Sequence, residues 1–153
     1  MALFLVQHGK SLPKDVDPDR GLSEEGISDA GRIASVAKGY NIHVSGIKHS
    51  GKKRALQTAE IFATALEPQS GVQEISGINP SDDVEAFSET ITSSDNIMYV
   101  GHLPFMEKLT SFLAAGSTEK TVFKFQNSGI VCLDQDPETL SWFIKWSLMP
   151  EIG

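Results

Sequence analysis

The apolar residues of the chain alternate between short continuous runs and longer segments with helical spacing. The short runs predict strands at residues 2–6, 44–49, 72–75, 96–100, 130–133 and 141–146. Between them, apolar side chains three or four positions apart predict helices that begin after Ser23 and cover residues 52–66, 82–91 and 103–115. Strands that alternate with helices form a mostly parallel sheet covered on both faces. The last two strands have no helix between them, which predicts an antiparallel pair.

Two helix starts carry capping residues. Ser23 is expected to cap the first helix, whose first turn holds Glu24 and Glu25 where carboxylates favour the helix dipole. Asp82 and Glu85 have the spacing of a capping box, which predicts that Asp82 begins the third helix. The residues expected to face inward are Ile27, Ala30, Ala34 and Ala37 in the first helix, Ala55, Ala59, Phe62 and Leu66 in the second, and Phe105, Leu109, Phe112 and Leu113 in the fourth.

Composition indicates one ordinary globular domain over residues 1–153, with 40% hydrophobic and 22% charged residues. The apolar run at residues 2–6 is too short for a signal peptide or a membrane span. The one cysteine, Cys132, lies in an apolar run and cannot form an intrachain disulfide, which favours a reducing cytoplasm. A net charge of -7 argues against broad binding to nucleic acid or to an anionic membrane. An anionic substrate therefore needs a local cluster of positive charge.

Polar side chains follow three of the predicted strands, at the point where each strand ends. They are Gln7, His8 and Gly9 after the first strand, Ser50 and residues 52–54 after the second, and residues 101–104 after the fourth. Ligands of open α/β sheets bind at the carboxyl ends of the strands. Because parallel strands end at the same edge, we expect these three groups to meet there.

The basic run Lys52, Lys53 and Arg54 falls in the first turn of a helix, where cations are unfavourable. A bound anion would remove this conflict, although a solvated basic turn explains the run equally well. A lone histidine after a strand is more often structural than functional. Together with Arg54, however, His8 and His102 would form a positive pocket the size of a phosphate, in which a neutral imidazole can act as nucleophile.

We expect no metal site and no cofactor. The chain has no cysteine cluster and no clustered set of acids, and His43 and His49 lack partners at the spacing of metal ligands. We interpret both histidines as structural or exposed. Trp142, Ile144 and Trp146 alternate along the last strand and are expected to pack on a sheet face rather than to bind a ligand.

Four motifs in this order resemble the histidine phosphatase superfamily. Residues 5–11 (LVQHGKS) are similar to its RHG signature, and residues 50–59 (SGKKRALQTA) are similar to a serine followed by Arg-Ala-x-Gln-Thr. Residues 101–104 (GHLP) match the third motif, and residues 20–23 (RGLS) with Gly26 resemble the RPLT loop and helix start. The short chain and the GHLP form resemble the SixA branch of phosphohistidine phosphatases.

This resemblance implies a phosphoglycerate mutase-like fold, a three-layer αβα sandwich with a mostly parallel central sheet. It makes His8 the phosphorylated nucleophile, and it makes Arg54, His102 and the residue at Gln7 ligands of the phosphoryl group. It also implies a phosphatase acting on phosphohistidine in a protein or on a small phosphomonoester. Neither nucleic acid nor a membrane is expected as a partner.

Gln7 departs from the family, which has arginine at this position. Glutamine keeps hydrogen-bond donors but lacks the positive charge and the bidentate fork of a guanidinium. Either turnover is weakened, or Lys10, Lys53 or Arg20 compensates. The alternatives to an enzyme are a non-catalytic module that binds phosphate or a phosphoprotein, and a carrier that passes phosphate from His8 to a partner.

A general acid is not evident in the sequence. Asp82, Asp83 and Glu74 are candidates for protonating the leaving group, but Asp82 is better explained as a helix cap. The SixA branch resembles this chain in lacking an obvious acid. Gly51 stands where the family usually has proline, which is a milder departure.

Overall fold

The computed structural model describes residues 1–152, which form six strands and four α-helices. The strands are β1 (Leu3–Gln7), β2 (Gly46–His49), β3 (Val72–Glu74), β4 (Ile97–Gly101), β5 (Ile130–Gln135) and β6 (Trp142–Leu148). The helices are α1 (Glu24–Gly39), α2 (Lys53–Leu66), α3 (Val84–Ser88) and α4 (Phe105–Ala115), and a single 3-10 turn lies at Ser93–Asp95. Every predicted strand and helix is present, with ends that differ by a few residues.

The strands form one sheet in the order β3-β2-β4-β1-β5-β6. Neighbours from β3 to β1 are parallel, whereas β5 and β6 are antiparallel to the strands beside them. Apolar residues of α1 and α2 pack on one face of the sheet, and those of α3 and α4 pack on the other. This arrangement confirms the three-layer αβα sandwich with a mostly parallel sheet.

Helix α1 begins as predicted but buries a different stripe. The Oγ of Ser23 accepts a hydrogen bond from the amide of Gly26 at 3.0 Å. Ile27, expected inside, is 50% exposed, whereas Ile33 is buried. The buried stripe starts at Gly26, and each residue turns about 100° around the helix, so that Ile27 points past the sheet. Gly26 lies so close to the backbone of Lys10 that a Cβ at this position would overlap the Lys10 carbonyl. Only glycine can therefore occupy this first inward position of the helix.

The start of α3 was predicted one residue too early. Asp83, not Asp82, caps the helix, because its Oδ1 accepts a hydrogen bond from the amide of Ala86 at 3.1 Å. The Oδ2 of Asp82 instead accepts a hydrogen bond from the amide of Asn79 at 2.8 Å and closes the preceding turn. The helix is also shorter than predicted and ends at Ser88.

The other inward positions are mostly as predicted. All four expected positions of α2 are buried. In α4, Phe105 and Leu109 are fully buried, whereas Phe112 and Leu113 are only partly buried. Cys132 is buried, and burial raises the pKa of its thiol to about 12.

The β5–β6 hairpin contains a bulge opposite Cys132 and Leu133. Cys132 pairs with Trp146 and Leu133 pairs with Ile144, which leaves Lys145 as an extra residue in β6. Trp146 packs on the face covered by α1 and α2, where its ring centroid lies 6.1 Å from that of Phe4. Ile144 packs on the opposite face, as does Trp142. The three residues therefore pack on the sheet as expected, but on two faces.

Within residues 1–152, no helix has both the length and the apolar character needed to cross a membrane.

Candidate active site

Residues at the carboxyl ends of β1 and β4, at the start of α2 and in the loop before α1 line a cavity of about 460 Å³. Its lining includes Gln7, His8, Arg20, Arg54, His102 and Asn127. The structure therefore brings together Gln7, His8, Arg54 and His102, the four site residues that the sequence nominated. It also places Arg20, named from the sequence as a possible substitute for the missing arginine, in the lining and adds Asn127.

The parallel pairing of β1 with β4 sets the two histidines side by side. Gln7 is in register with Gly101, and the amide of His8 donates a hydrogen bond to the carbonyl of Gly101 at 2.9 Å. His8 follows Gln7 and His102 follows Gly101, and the ring centroids of the two histidines lie 5.0 Å apart. Two positions more than ninety residues apart in sequence thus form one wall of the cavity.

The ring of His8 is held in one tautomer. Its Nδ1 lies 2.7 Å from the carbonyl oxygen of Gly9, which can only accept, so Nδ1 carries the proton. Nε2 keeps its lone pair and accepts a hydrogen bond from the Nε of Arg54 at 3.3 Å. Burial lowers the pKa of His8 to about 4, and the charges of Arg54 and Arg20 lower it too, against the opposing effect of the Gly9 bond. His8 is therefore neutral at pH 7.

His102 is almost fully buried, with 1% of its surface exposed. Its Nε2 lies 2.6 Å from the Oγ of Ser50, whereas its buried Nδ1 has no partner within residues 1–152. Burial lowers the pKa of His102 to about 3, with further contributions from His8, Arg54 and Lys52. With both histidines neutral, the positive charge of the cavity comes from basic side chains.

Of the basic run at residues 52–54, only Arg54 lines the cavity. Lys52 occupies the N-cap position and is exposed, and Lys53 forms an ion pair with Asp17 at 3.0 Å outside the lining. Arg54 is half-buried and points at His8. Burial lowers the pKa of its guanidinium, as does the nearby charge of Arg20.

Thr58, one turn after Arg54, connects α2 to the loop of His8. Its Oγ1 accepts a hydrogen bond from the amide of Gly9 at 2.8 Å and donates one to the carbonyl of Arg54 at 2.8 Å. Thr58 is fully buried. Sequence reasoning included it only as the last letter of a motif and gave it no role.

Asn127 holds the same loop from the other side. Its Nδ2 donates a hydrogen bond to the carbonyl of His8 at 2.9 Å, and the next amide, that of Ser128, donates to the carbonyl of Gln7 at 2.9 Å. Asn127 precedes β5 in an irregular segment, where no periodicity marks it. The sequence offered no signal for this contact.

Gln7 lines the cavity, and its Oε1 is buried without a hydrogen-bond partner among residues 1–152. Of the three basic residues proposed to compensate for it, Lys53 lies outside the lining. Lys10 reaches the cavity rim, but its side chain is largely exposed and forms an ion pair with Glu25 at 2.9 Å. Arg20 lines the cavity and donates a hydrogen bond to the Oγ of Ser11 at 3.2 Å.

The three candidate acids lie outside the cavity lining. Asp82 accepts a hydrogen bond from the amide of Asn79 in the turn before α3, and Asp83 caps α3. Glu74 is exposed at the end of β3, where a Cβ on Gly51 would collide with its carboxylate. Gly51 has a φ of +91°, a conformation that proline cannot adopt. Within residues 1–152, no three His, Cys, Asp or Glu side chains are grouped closely enough to hold a metal ion.

Three solved structures that are similar to this chain are described as phosphatases. The protein histidine phosphatase SixA complexed with tungstate is 25% identical with a TM-score of 0.83, and the alignment covers 98% of this chain and 97% of SixA. A protein designated phosphohistidine phosphatase SixA from Agrobacterium tumefaciens is 25% identical with a TM-score of 0.77, over 97% of both chains. A protein of Escherichia coli K-12 designated an α-ribazole-5'-P phosphatase shares the fold, with 19% identity and a TM-score of 0.75. The alignment covers 100% of this chain and 99% of that protein.

A comparison with curated proteins found no match. The family model described as Histidine phosphatase superfamily (branch 1) matches residues 3–78, which contain Gln7, His8, Arg20 and Arg54. His102 lies beyond this match, and the pairing of β4 with β1 and β2 brings it to the other residues. The sequence match and the likeness to SixA over nearly the whole chain together place this protein in the histidine phosphatase superfamily.

Proposed function

We propose that this protein is a phosphatase that takes a phosphoryl group from phosphohistidine in a partner protein, or from a small phosphomonoester, onto His8 and then passes it to water. The observation that carries the proposal is the unprotonated Nε2 of His8, which faces the cavity beside the guanidinium of Arg54. A neutral imidazole with a fixed tautomer is ready to act as a nucleophile. The tungstate complex of SixA supports the proposal, because tungstate is a tetrahedral oxyanion like phosphate.

In the first step, the lone pair of Nε2 attacks phosphorus, and the bond from phosphorus to the leaving nitrogen or oxygen breaks in line. The leaving group departs with the electron pair of that bond. An alkoxide then takes a proton from solvent, whereas an imidazole that already carries a proton on its other nitrogen leaves neutral. Arg54 and His102 bind the equatorial oxygens, with the amide of Gln7 as a further donor, since transfer depends chiefly on positioning and charge stabilisation. The carbonyl of Gly9 keeps the proton on Nδ1 and stabilises the positive charge that the ring acquires.

In the second step, a water oxygen attacks phosphorus from the side opposite Nε2. The bond between phosphorus and Nε2 breaks, and its electron pair returns to Nε2. Inorganic phosphate leaves and one proton passes to solvent. His8 is then again neutral, with its proton on Nδ1, and a new cycle can begin.

The chemistry of the lining favours a good leaving group. Within residues 1–152, no carboxylate lines the cavity, so no side-chain acid of that kind stands ready to protonate a departing alkoxide. A protonated imidazole on phosphorus leaves as neutral imidazole and needs no such acid. We therefore expect phosphohistidine to react faster than alkyl esters such as phosphoserine.

Gln7 supports a second candidate, a non-catalytic module that binds phosphate or a phosphoprotein. Its neutral amide stabilises the transition state less than arginine would, whereas ground-state binding can persist on Arg54 and the neutral histidines. The two candidates differ in one property, which is whether His8 becomes phosphorylated.

The test is a phosphatase assay with a histidine-phosphorylated protein, p-nitrophenyl phosphate and phosphoserine. Wild-type protein should hydrolyse the first two faster than the third and should form an acid-labile phosphoprotein. His8→Ala should abolish both the hydrolysis of these substrates and the formation of the phosphoprotein. His43→Ala, which changes an exposed histidine, should leave both unchanged. Wild-type protein that binds phosphate without becoming phosphorylated would favour the binding module. Undiminished turnover in His8→Ala would refute the assignment of the nucleophile.

A further inference from the structure

His49 is a buried histidine that lies next to the site without lining the cavity. It is the last residue of β2, and only 4% of its surface is exposed. It faces the same side of the sheet as Ile47, two positions earlier, which packs in the layer of α1 and α2. Its Nδ1 accepts a hydrogen bond from the amide of Gly51 at 3.0 Å. An amide nitrogen can only donate, so Nδ1 carries no proton and Nε2 does.

The surroundings keep this ring in the form that can accept. Burial lowers the pKa of His49 below its usual value, against the opposing charges of Glu74 in β3 and Glu60 in α2. The ring is therefore neutral at pH 7. A proton on Nδ1 would face the hydrogen of the Gly51 amide, so the bond exists only while the ring is neutral.

Gly51 is the residue whose backbone most needs to be held. Its φ of +91° lies in a region that glycine adopts freely and that residues with a Cβ rarely adopt. The carboxylate of Glu74 occupies the place where a Cβ of Gly51 would lie, so no other residue fits here without a shift. A glycine at the end of a strand has wide conformational freedom, and the imidazole of His49 restricts it through the amide.

Ser50 lies between these two anchored residues. On one side, the carbonyl of His49 accepts a hydrogen bond from the amide of Ile75 at 2.8 Å. On the other side, the amide of Gly51 is held by the His49 ring. With the backbone fixed at both neighbours, the Oγ of Ser50 is directed to the Nε2 of His102 at 2.6 Å.

The contact with Ser50 determines which nitrogen of His102 can serve a ligand. His102 lines the cavity and Ser50 does not, so the buried Nδ1 is the nitrogen left for an oxyanion. A neutral imidazole has a single N–H. When the Ser50 hydroxyl donates to Nε2, that N–H is on Nδ1 and can donate to a phosphoryl oxygen. When the hydroxyl is displaced, the proton can move to Nε2, and Nδ1 then presents a lone pair that repels the oxyanion.

We propose that His49 is a positioning residue of this site. By holding the amide of Gly51, it keeps the Ser50 hydroxyl on the Nε2 of His102 and so keeps the phosphate-binding N–H on Nδ1. His49 itself does not touch the ligand. The inference rests on the proposed function only in requiring that the cavity binds a phosphoryl group.

The first experiment compares two substitutions of His49. Leucine has a similar volume but no acceptor, whereas asparagine places an oxygen near the position of Nδ1. His49→Leu should weaken the binding of inorganic phosphate and of tungstate, measured by titration calorimetry, about 3- to 10-fold, as expected for the loss of one hydrogen bond. The kcat/KM for p-nitrophenyl phosphate should fall by a similar factor.

His49→Asn should retain affinity and kcat/KM within about twofold of wild type, even if urea unfolding shows it to be no more stable than His49→Leu. His43→Leu, which changes an exposed histidine in the same way, should leave both quantities unchanged. An asparagine variant that loses as much affinity as the leucine variant would overturn the proposal, because the acceptor would then be irrelevant.

A double-mutant cycle tests whether His49 acts through Ser50. In a Ser50→Ala background, His49→Leu should cause no further loss of anion affinity, since the hydroxyl that it positions is already absent. Full additivity of the two losses would overturn the proposal and would assign His49 to general packing.

Nitrogen NMR of the histidine rings reads the tautomer directly. In wild-type protein, His102 should carry its proton on Nδ1, and in His49→Leu the two tautomers should mix. A wild-type His102 with its proton on Nε2 would overturn the proposal, and this measurement is decisive even if the leucine variant does not fold.

The outcomes separate this inference from the phosphatase proposal. Anion binding that weakens in His49→Leu but not in His49→Asn, found in a protein without turnover, would support the role of His49 and refute the enzyme. Full turnover in the wild type, with unchanged affinity and kcat/KM in His49→Leu, would refute only the role of His49. Wild-type protein that binds neither anion would refute both.

Discussion

Replacing Thr58 with valine removes one hydroxyl that serves two elements of the site. The hydroxyl oxygen lies 2.8 Å from the amide of Gly9 and 2.8 Å from the carbonyl of Arg54, in a fully buried position. Valine has nearly the same shape, so that packing changes little, but its methyl group can neither donate nor accept. Thr58→Val therefore isolates the hydrogen bonds from the volume of the side chain.

The cost falls mainly on the amide of Gly9. The carbonyl of Arg54 is one turn before Thr58 in α2 and keeps its bond within the helix, so it is not left unsatisfied. The buried amide of Gly9 loses its acceptor, and an unsatisfied buried donor costs about 1–3 kcal/mol. With the lost bond to the Arg54 carbonyl, we expect the free energy of unfolding to fall by roughly 2–3 kcal/mol.

The same change should reach the nucleophile. The carbonyl of Gly9 fixes the ring of His8. Without the Thr58 hydroxyl, the residue that carries this carbonyl is held less firmly, and the Nε2 of His8 can move out of line with the phosphorus atom. Misplacement of about 1 Å can cost 10²-fold in rate, so we expect kcat/KM to fall about 10- to 100-fold, mainly through kcat.

Urea unfolding and steady-state kinetics with p-nitrophenyl phosphate measure both effects, and Thr58→Ser is the matched control because it keeps the hydroxyl. The serine variant should lose stability through its missing methyl group yet retain most of the activity. Equal kcat values in the valine and serine variants would refute the link from Thr58 through Gly9 to His8, even if both were destabilised.

Two further predictions follow from the histidines. The pKa of His8 is lowered to about 4, so the unfolded chain binds protons first as the pH falls below 6.5. In phosphate-free buffer, stability should drop by about 2 kcal/mol on this account between pH 7 and pH 5, and the drop in a His8→Asn variant should be smaller by that amount. An identical drop in the variant would contradict the buried neutral ring. Ser50→Ala removes the partner of His102 Nε2 at 2.6 Å and should lower kcat/KM about tenfold and weaken phosphate binding; unchanged values for both would show that Ser50 does not orient His102.

The sequence predicted the layers of the fold because its apolar spacing is regular, and it predicted the meeting of the two histidines because parallel strands end at one edge. It failed where a choice depended on one residue's rotation or on a competing turn. Ile27 and Gly26 compete for the inward position of α1, and only the close approach of the Lys10 backbone decides for glycine. Asp82 and Asp83 compete for the cap of α3, and the amide of Asn79 takes one of them.

The site was predictable where a residue's chemistry follows a strand directly, as it does for His8 and His102. The sequence named Arg20 with Lys10 and Lys53 as possible substitutes for an arginine at Gln7, but it could not choose among them, because the irregular loop before α1 has no periodic pattern. Asn127 was not predicted at all, because it lies in an irregular segment before β5. Thr58 lay in a recognised motif, but its function depends on a contact with Gly9, 49 positions away, which only the folded chain reveals.

The bulge in β6 has a mechanical consequence for the edge of the sheet. On either side of Lys145, Ile144 is anchored in one hydrophobic layer and Trp146 in the other. An edge strand anchored on one face can peel away while the opposite layer stays intact. This strand crosses from one layer to the other, so detaching it strips apolar cover from both faces at once. Because of the bulge, β6 is packed into both hydrophobic layers. We therefore expect this edge strand to unfold together with the rest of the sheet rather than separately.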